Sequence, residues 1–419
     1  MRNVLFVYRG LQMGGIETLY GRIAKSSAFR CKFLFLCEKQ ECNDELLREL
    51  ALNADVYFYS ELLSSTKAKL AVNKPIPVKL LFGLDKRALH RIGSIDVVHV
   101  TEGLGILLAH QLLKKLNLDV PITVGLYHQK EFIWGDINRL PYFERVNRKV
   151  FELLPSENIL FFNESVFELY AKRLHGGLDR AKLFPLGVDF DSSAVPPVVC
   201  SGSTLRIVSI GRLTDFKTYN LWMIDVVADL ISKGYNVKYD IYGDGAVRKT
   251  IENKLSARRD LPIELKGTLA YSEFKSTLSR YDIFVGSGTA IVEAAANGIP
   301  SIIGIESIET PISYGFFSNI PGFSYNEQGL SLPTYEVSVL IEDFINSEVG
   351  SRENLQAKHV EKARLFSMQR CIANFDEAFK GAAVQKSYAN MYSDKYLISY
   401  LFTAIKSRFF KTSYSRKYK

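Results

Sequence analysis

The sequence predicts an α/β fold: two doubly wound parallel-sheet domains, followed by a basic, aromatic helical tail. Three observations carry that reading. The chain has 419 residues, too many for one ordinary core, which makes two domains the natural division. Short apolar segments alternate with helix-patterned ones through both halves, and such alternation builds parallel sheets. In the second half, four strand-like segments run straight into glycines, which a parallel sheet gathers at one edge.

Bulk properties narrow the class. Apolar residues make up 47% of the chain and charged residues 23%, the balance of a globular, soluble protein. No uncharged apolar run reaches the roughly eighteen residues that a membrane span needs. Residues 1–8 hold one charge and a short apolar run that Arg9 interrupts, which reads as a first strand and not a signal peptide. The cysteines (Cys31, Cys37, Cys42, Cys200, Cys371) form no CxxC pair, and the histidines (His90, His99, His110, His128, His175, His359) form no HExxH or HxH pair. Neither a disulfide frame nor a protein metal site is expected, and the expected compartment is reducing cytosol.

The net charge of +8 is unevenly placed. Beyond residue 380 the cations are Lys386, Lys395, Lys406, Arg408, Lys411, Arg416, Lys417 and Lys419, against one acid, Asp394. The body is therefore close to neutral. A basic tail on a neutral body points to an acidic surface, not to nucleic acid.

In the first half, strands are expected at residues 3–8, 32–36, 56–59, 96–100, 122–126 and 158–162. Helices are expected between them, for example at 17–26, 106–116 and 142–154. Sheets of this kind bind ligands at the carboxyl ends of their strands. One turn at such an end is Arg9-Gly10-Leu11-Gln12-Met13-Gly14-Gly15-Ile16-Glu17. Its paired glycines let backbone approach a ligand, and a helix start adds N–H donors. It is not GxGxxG, and a plain βα turn fits it equally well. Another is Gly125-Leu126-Tyr127-His128-Gln129-Lys130, where His128 could exchange a proton with a sugar hydroxyl or simply bond at the surface. His99 ends a further strand, and Thr101-Glu102-Gly103 after it are expected to line the same region.

Proline and glycine in Phe184-Pro185-Leu186-Gly187-Val188-Asp189 break the pattern, and a loose Ser/Pro/Val stretch runs on to Thr204. The domain boundary is placed here: 1–187, then 188–365, a returning helix at 366–382, and the tail at 383–419. Alternation then restarts, with strands at 205–210, 238–242, 263–266, 283–285 and 299–305. The first is followed by Gly211-Arg212-Leu213-Thr214-Asp215-Phe216-Lys217. Arg212 and Lys217 can converge on one diphosphate across that turn, although two surface cations near a helix start are also common. The next three strands lead into Gly243-Asp244-Gly245, Gly267-Thr268-Leu269 and Gly286-Ser287-Gly288.

The stretch 281–300, YDIFVGSGTAIVEAAANGIP, carries the sharpest signal. A buried strand stops at glycines and opens into an alanine-rich helix, so backbone N–H groups at the helix tip are free to hold an anion. Glu293 lies too far along to cap the first turn and could pair with ribose hydroxyls while the tip holds phosphate. An ordinary βα unit with a solvated Glu293 fits the stretch alone as well. The tail from 385 differs in kind: Tyr388, Tyr392, Tyr396 and Tyr400 recur every fourth residue among Lys and Arg. That helical stripe is expected to contact an anionic membrane; a helix packed on the body, or a disordered basic end, is the other reading.

Taken together, these turns resemble the retaining family-4 glycosyltransferases of the GT-B fold. The carriers are GGIE (14–17), FPLGVD (184–189), GRLTDFK (211–217), YGDGAVR (242–248) and the run at 263–302, over nearly all of residues 1–380. The resemblance implies two Rossmann-like domains facing a cleft, with a nucleotide diphosphate sugar held mainly by the second. It implies that Arg212 and Lys217 clamp the diphosphate, that Gly288 and Thr289 offer helix-tip amides, and that Glu293 binds ribose. Gly14 and Gly15 would form the first-domain loop over the phosphates, with Gly243 among the donor-site glycines. His128 would be the cleft histidine near the donor sugar, and Leu269 would hold the base through its backbone. In one respect the chain departs: the family carries two glutamates at a fixed spacing, and Val285 stands where the first would be.

The expected reaction is transfer of a sugar from a nucleotide diphosphate sugar to a saccharide, with retention at the anomeric carbon and no metal or cofactor. Asp189-Phe190-Asp191 has metal-binding spacing but lies in the linker, and is read as a solvated pair. A lipid-linked acceptor would suit a tail that touches the inner face of the plasma membrane, and points to bacterial surface polysaccharide synthesis. Two other readings stay open: a nucleotide-sugar epimerase of the same fold, and a non-catalytic partner subunit, which the loss at Val285 motivates.

Overall fold

A computed structural model describes residues 1–12, 14–133, 139–174, 177–189, 204–385 and 391–409. The chain forms two units: Met1–Phe184 with Ile372–Lys419, and Pro185–Cys371.

The first unit is built on seven parallel strands: β1 (Arg2–Tyr8), β2 (Phe29–Phe35), β3 (Asp55–Phe58), β4 (Val97–Val100), β5 (Ile122–Leu126), β6 (Ile159–Phe161) and β7 (Lys182–Leu183). Their order is β3-β2-β1-β4-β5-β6-β7. The chain winds outward from β1 to one edge, returns to the centre at β4, and winds to the other edge. The central strands are apolar and buried on both faces, as parallel sheets covered by helices require. The two-residue β7 lies where the sequence shows only the broken linker pattern, and it pairs with β6. His99, which the sequence shows only as ending a strand, is a core residue. Its ring is fully buried against Phe6, Tyr127, Phe375 and Phe379, with nitrogens hydrogen-bonded to Thr123 at 3.0 Å and Tyr127 at 2.9 Å. Burial lowers its pKa to about 3, so the ring is neutral.

The C-terminal segment belongs to this unit's core. Within the helix Met368–Gly381, Asp376 pairs with Arg2 at 2.9 Å and the Phe379 ring packs on Phe29. Asn158 then hydrogen-bonds the backbone of Ala383 in both directions at 2.8 Å. The tail helix Asp394–Phe409 follows. Tyr392, Tyr396 and Tyr400 face the body and not a membrane, against the expectation from their spacing. Tyr396 is 0% exposed, donates to Asn147 at 2.7 Å and packs edge-on to Phe143; Tyr392 donates to the Leu80 carbonyl at 3.1 Å; the Tyr400 ring lies tilted against Phe143, centroids 5.2 Å apart. A helical stripe in sequence shows that one face is apolar, but not what covers it. Tyr388 lies outside the described residues. Among those residues, no helix is long and apolar enough to cross a membrane.

The second unit carries five parallel strands: β8 (Leu205–Ile210), β9 (Val237–Tyr242), β10 (Ile263–Gly267), β11 (Ile283–Gly286) and β12 (Ser301–Ile303), in the order β10-β9-β8-β11-β12. The helix Tyr219–Ser232 packs its Trp222, Met223, Val226, Val227 and Leu230 into an apolar cluster with strand side chains. The helix Thr289–Ala296 buries Ile291, Val292 and three alanines in another. Alanine suits that position because small side chains let the helix lie close to the sheet. The linker docks at the break between the helices Val349–Arg364 and Met368–Gly381. There Val188 donates to the Phe366 carbonyl at 2.8 Å and accepts from Met368 N–H at 2.9 Å. Gly187 is needed at that crossing: a Cβ would sit 2.7 Å from Cys371 Cβ and 3.0 Å from Met368 Cα.

Candidate anion-binding site

In each unit the strand order reverses beside the first strand, and open α/β sheets bind ligands at that crevice. In the second unit the crevice lies between β8 and β11. The turns that follow those two strands are Gly211–Lys217 and Gly286–Gly288, the ones singled out in the sequence.

Glycines shape the first of these turns. Gly211 has φ +154° and donates to the Tyr242 carbonyl at 3.0 Å; Gly243 has φ +147° and donates to the Gly267 carbonyl at 2.7 Å. A Cβ on Gly243 would lie 2.0 Å from the Gly211 carbonyl oxygen. Gly243 is therefore required for stacking one turn on the next, a physical reason that needs no ligand. Leu213, 0% exposed, anchors the loop and donates to the Asp244 carbonyl at 2.9 Å. Arg212 is left on the surface. Lys217 is half-buried, and its Nζ lies 3.0 Å from the point where a Gly211 Cβ would be. Its ammonium thus sits over the backbone at the carboxyl end of β8.

Across the crevice, Gly288 forms the N-cap of the helix Thr289–Ala296, with φ +65°, no side-chain cap, and open space where a Cβ would be. This backbone is one that glycine adopts without strain. Thr289 is the first helical residue. The Tyr325 hydroxyl donates to the Gly288 carbonyl at 3.0 Å and fixes the tip. Glu293 is 8% exposed and so does not face bulk solvent. Leu269, after β10, is half-buried against the same apolar cluster.

A residue that the sequence reading missed joins the two turns. β12 ends at Ile303, and Glu306 lies three residues beyond it. Glu306 N–H donates to the Asn326 carbonyl at 2.9 Å, and Ser307, at φ +63°, donates to the Phe216 carbonyl at 2.7 Å. The loop after β12 is thus tied to the Arg212–Lys217 loop. Burial raises the Glu306 pKa to about 7; the Lys217 charge lowers it, Glu327 raises it and the Ser287 hydroxyl lowers it. The Ser287 hydroxyl is itself buried and, among the described residues, has no partner of normal hydrogen-bond geometry. Lys217, Ser287 and Glu306 therefore form one cluster at the helix tip. Only the place of Glu306, just past a strand at the same sheet edge, could have flagged it. Val285 is 0% exposed within β11, its carbonyl accepting from Ser209 at 2.6 Å, so the strand continues in apolar core at the position where the sequence resemblance would imply an acid.

The first unit's crevice, between β1 and β4, is arranged differently. Arg9 Nε lies 2.7 Å from both Glu102 carboxylate oxygens and its Nη2 2.6 Å from Oε2. Gly14 caps the helix Gly15–Lys25 without a side-chain cap, and a Cβ there would meet Glu17 Oε2 at 2.5 Å. The Glu17 carboxylate already sits over that helix tip. His128 follows β5 and is exposed; its Nδ1 accepts from Lys130 N–H at 3.2 Å, which puts the proton of the neutral ring on Nε2. In the linker, Asp189 is exposed, while Phe190 and Asp191 lie outside the described residues.

No protein-family model matches the chain. Protein CapJ of Staphylococcus aureus is 28% identical over 109 residues, which is 24% of this chain and 28% of CapJ, so the match spans under a third of that relative. Solved structures match at greater length. HepE of Anabaena, in complex with UDP and glucose, is 13% identical with a TM-score of 0.60, over 91% of this chain and 100% of HepE. A TarM variant of Staphylococcus aureus, with UDP bound, is 10% identical with a TM-score of 0.61, over 91% and 100%. The lipopolysaccharide outer core galactosyltransferase WaaB is 15% identical with a TM-score of 0.54, over 90% and 99%. This chain has the GT-B fold of these glycosyltransferases.

Proposed function

We propose that the protein transfers a sugar from a nucleotide diphosphate sugar to a saccharide acceptor, with retention at the anomeric carbon. The observation that carries this is the convergence at the β8/β11 crevice of a basic loop and an uncapped glycine-led helix tip. As the glycosidic bond breaks, the departing diphosphate gains negative charge. Arg212, Lys217 and the Gly288–Thr289 amides meet that charge from fixed positions, the most effective form of electrostatic catalysis. The buried Glu293 pairs with the ribose, and the backbone at Leu269 holds the base. Gly14, Gly15 and His128 act on the sugar and phosphates, with His128 donating from Nε2. Because the positive charge comes from side chains and amides, no metal takes part. Complexes of HepE and TarM with UDP support a uridine diphosphate donor.

The acceptor is a lipid-linked saccharide of a surface polysaccharide, met by a protein peripheral on the inner face of the plasma membrane. The tail supports this through a face other than its tyrosines. Ile398, Phe402, Ile405 and Phe409 are 60%, 68%, 49% and 77% exposed and lie on one side of the helix, with exposed Lys395 and Lys406. Apolar residues with flanking cations fit an anionic headgroup layer. Serines at those four positions should abolish flotation with anionic liposomes and leave the tyrosine-packed core intact; unchanged flotation refutes the contact.

The buried Val285 favours a second reading, a non-catalytic partner subunit with the same fold. Transfer assays across a panel of nucleotide sugars, with the product's anomeric configuration read by NMR, separate the two. Transfer with retention supports the enzyme, and it should persist in EDTA. Acceptor-independent conversion would instead indicate an epimerase. No turnover with any donor, while a second transferase requires this chain, supports the partner subunit.

A further inference from the structure

We propose that Glu306 is a proton-coupled member of the diphosphate site: it takes up a proton when a nucleotide diphosphate sugar binds, so binding tightens as the pH falls from 8 to 6. The inference rests on the reading that the β8/β11 crevice holds a diphosphate.

The argument starts from placement. Ser307 N–H to Phe216 O, at 2.7 Å, pins the Glu306 turn against the loop that bears Lys217. The Ser287 hydroxyl, 1% exposed and without a partner of normal geometry among the described residues, adjoins the Gly288 helix tip from which amides would reach an anion. The charged and polar groups that act on the Glu306 carboxyl come from three elements: Lys217 after β8, Ser287 after β11, and Glu327 from the segment past residue 320. Glu327 is held by Tyr325 N–H, which donates to its Oε2 at 3.0 Å. In the free protein Lys217 and, less strongly, the Ser287 hydroxyl favour the ionised carboxylate, while burial and Glu327 oppose it. A diphosphate would engage Lys217 and place like charge beside the carboxyl. Both changes favour the neutral acid. A neutral carboxyl can then donate its proton to a phosphate oxygen or a sugar hydroxyl; the ionised form can only repel the phosphate.

The size of the effect follows from the free-state pKa of about 7. The competent, protonated fraction falls roughly tenfold between pH 6 and pH 8, and apparent affinity falls with it. About half a proton is taken up per ligand bound at pH 7.

The test is calorimetric titration of the full chain with UDP-glucose. Its phosphates do not titrate near neutrality, unlike a terminal phosphate with its second pKa near about 6. Runs in two buffers of different ionisation heat give the proton count. The expected result is a roughly tenfold weaker Kd at pH 8 than at pH 6, with proton uptake at pH 7. In Glu306→Gln both should vanish, and binding should stay at the tighter, low-pH value. Glu327→Gln keeps the acceptor for Tyr325 N–H and removes the charge that raises Glu306, so it should move the transition to lower pH even if Glu306→Gln does not fold. If the wild type binds UDP-glucose with no proton uptake, or if both variants share its pH profile, the inference falls and the diphosphate site stands. If UDP-glucose, GDP-mannose and their free diphosphates all fail to bind, inference and site fall together.

Discussion

The two units repeat one plan and differ in the charges that surround it. Each has a parallel sheet whose order reverses beside its first strand, a glycine turn after that strand with an arginine beside it, and a helix capped by glycine without a side-chain cap. In the first unit the arginine, Arg9, is gripped by Glu102, and Glu17 lies over the helix tip. In the second, Arg212 is exposed, Lys217 hangs over the turn, and nothing lies within 4 Å of a Cβ position on Gly288. Equal topology therefore does not make equal sites. An anion reaching the first crevice must displace carboxylates, whereas one reaching the second meets cations and amides, with the half-ionised Glu306 opposing it.

Substitutions can break this contrast. The largest effect is expected from Lys217→Ala or Arg212→Ala, each lowering kcat/KM by a factor that corresponds to about 2–4 kcal/mol, with little change in Tm. Arg9→Ala should behave in the opposite way. It leaves the largely buried Glu102 carboxylate without its guanidinium and costs about 1–3 kcal/mol of stability, read as a lower Tm, while nucleotide binding persists. If Arg9→Ala removed nucleotide binding and left Tm alone, the assignment of roles to the two crevices would be reversed.

The glycines sharpen the same point. Gly243→Ala forces a Cβ against the Gly211 carbonyl in a backbone conformation that L-residues avoid, and should destabilise the second unit by about 1–3 kcal/mol in chemical denaturation. Acid should affect both units. His99 and His359 are buried, with pKa lowered to about 3 and about 4, so each favours the fold while neutral. That stability is complete above the unfolded value near about 6.5 and is lost as the pH falls below it, at about 1.4 kcal/mol per pH unit per histidine. His99→Asn should therefore flatten the loss of Tm between pH 6.5 and 5. The smallest effect belongs to Gly14→Ala: its φ of −169° is ordinary extended backbone and its Cβ meets only the mobile end of Glu17, so Tm should change little.

Much of this was legible in the sequence because parallel sheets announce themselves. Runs such as LFVY and IVSI are apolar on both faces, and the glycines after them mark one sheet edge. β8 lies at 205–210, as its pattern predicts, and the Gly288 helix tip and the Lys217 turn flank the same crevice. What stayed hidden is what covers what. The tyrosine stripe of the tail predicts a helix but not that Tyr396 lies under Asn147 and Phe143, while Ile398 and Phe402 face outward. His99 ends a strand much as His128 follows one, yet only packing shows that the first is core. Gly243 reads as a ligand glycine until the Gly211 carbonyl is found against it. Glu306 carries no motif, because its role comes from a loop tied across the sheet and not from spacing along the chain.

The most direct test compares UDP binding to the wild-type chain, to the Arg212→Ala/Lys217→Ala double variant, and to Arg9→Ala, by calorimetry under matched salt. The account predicts saturable binding to the wild type and to Arg9→Ala, and binding lost from the double variant while its Tm without ligand is unchanged. Undiminished binding to the double variant would contradict it.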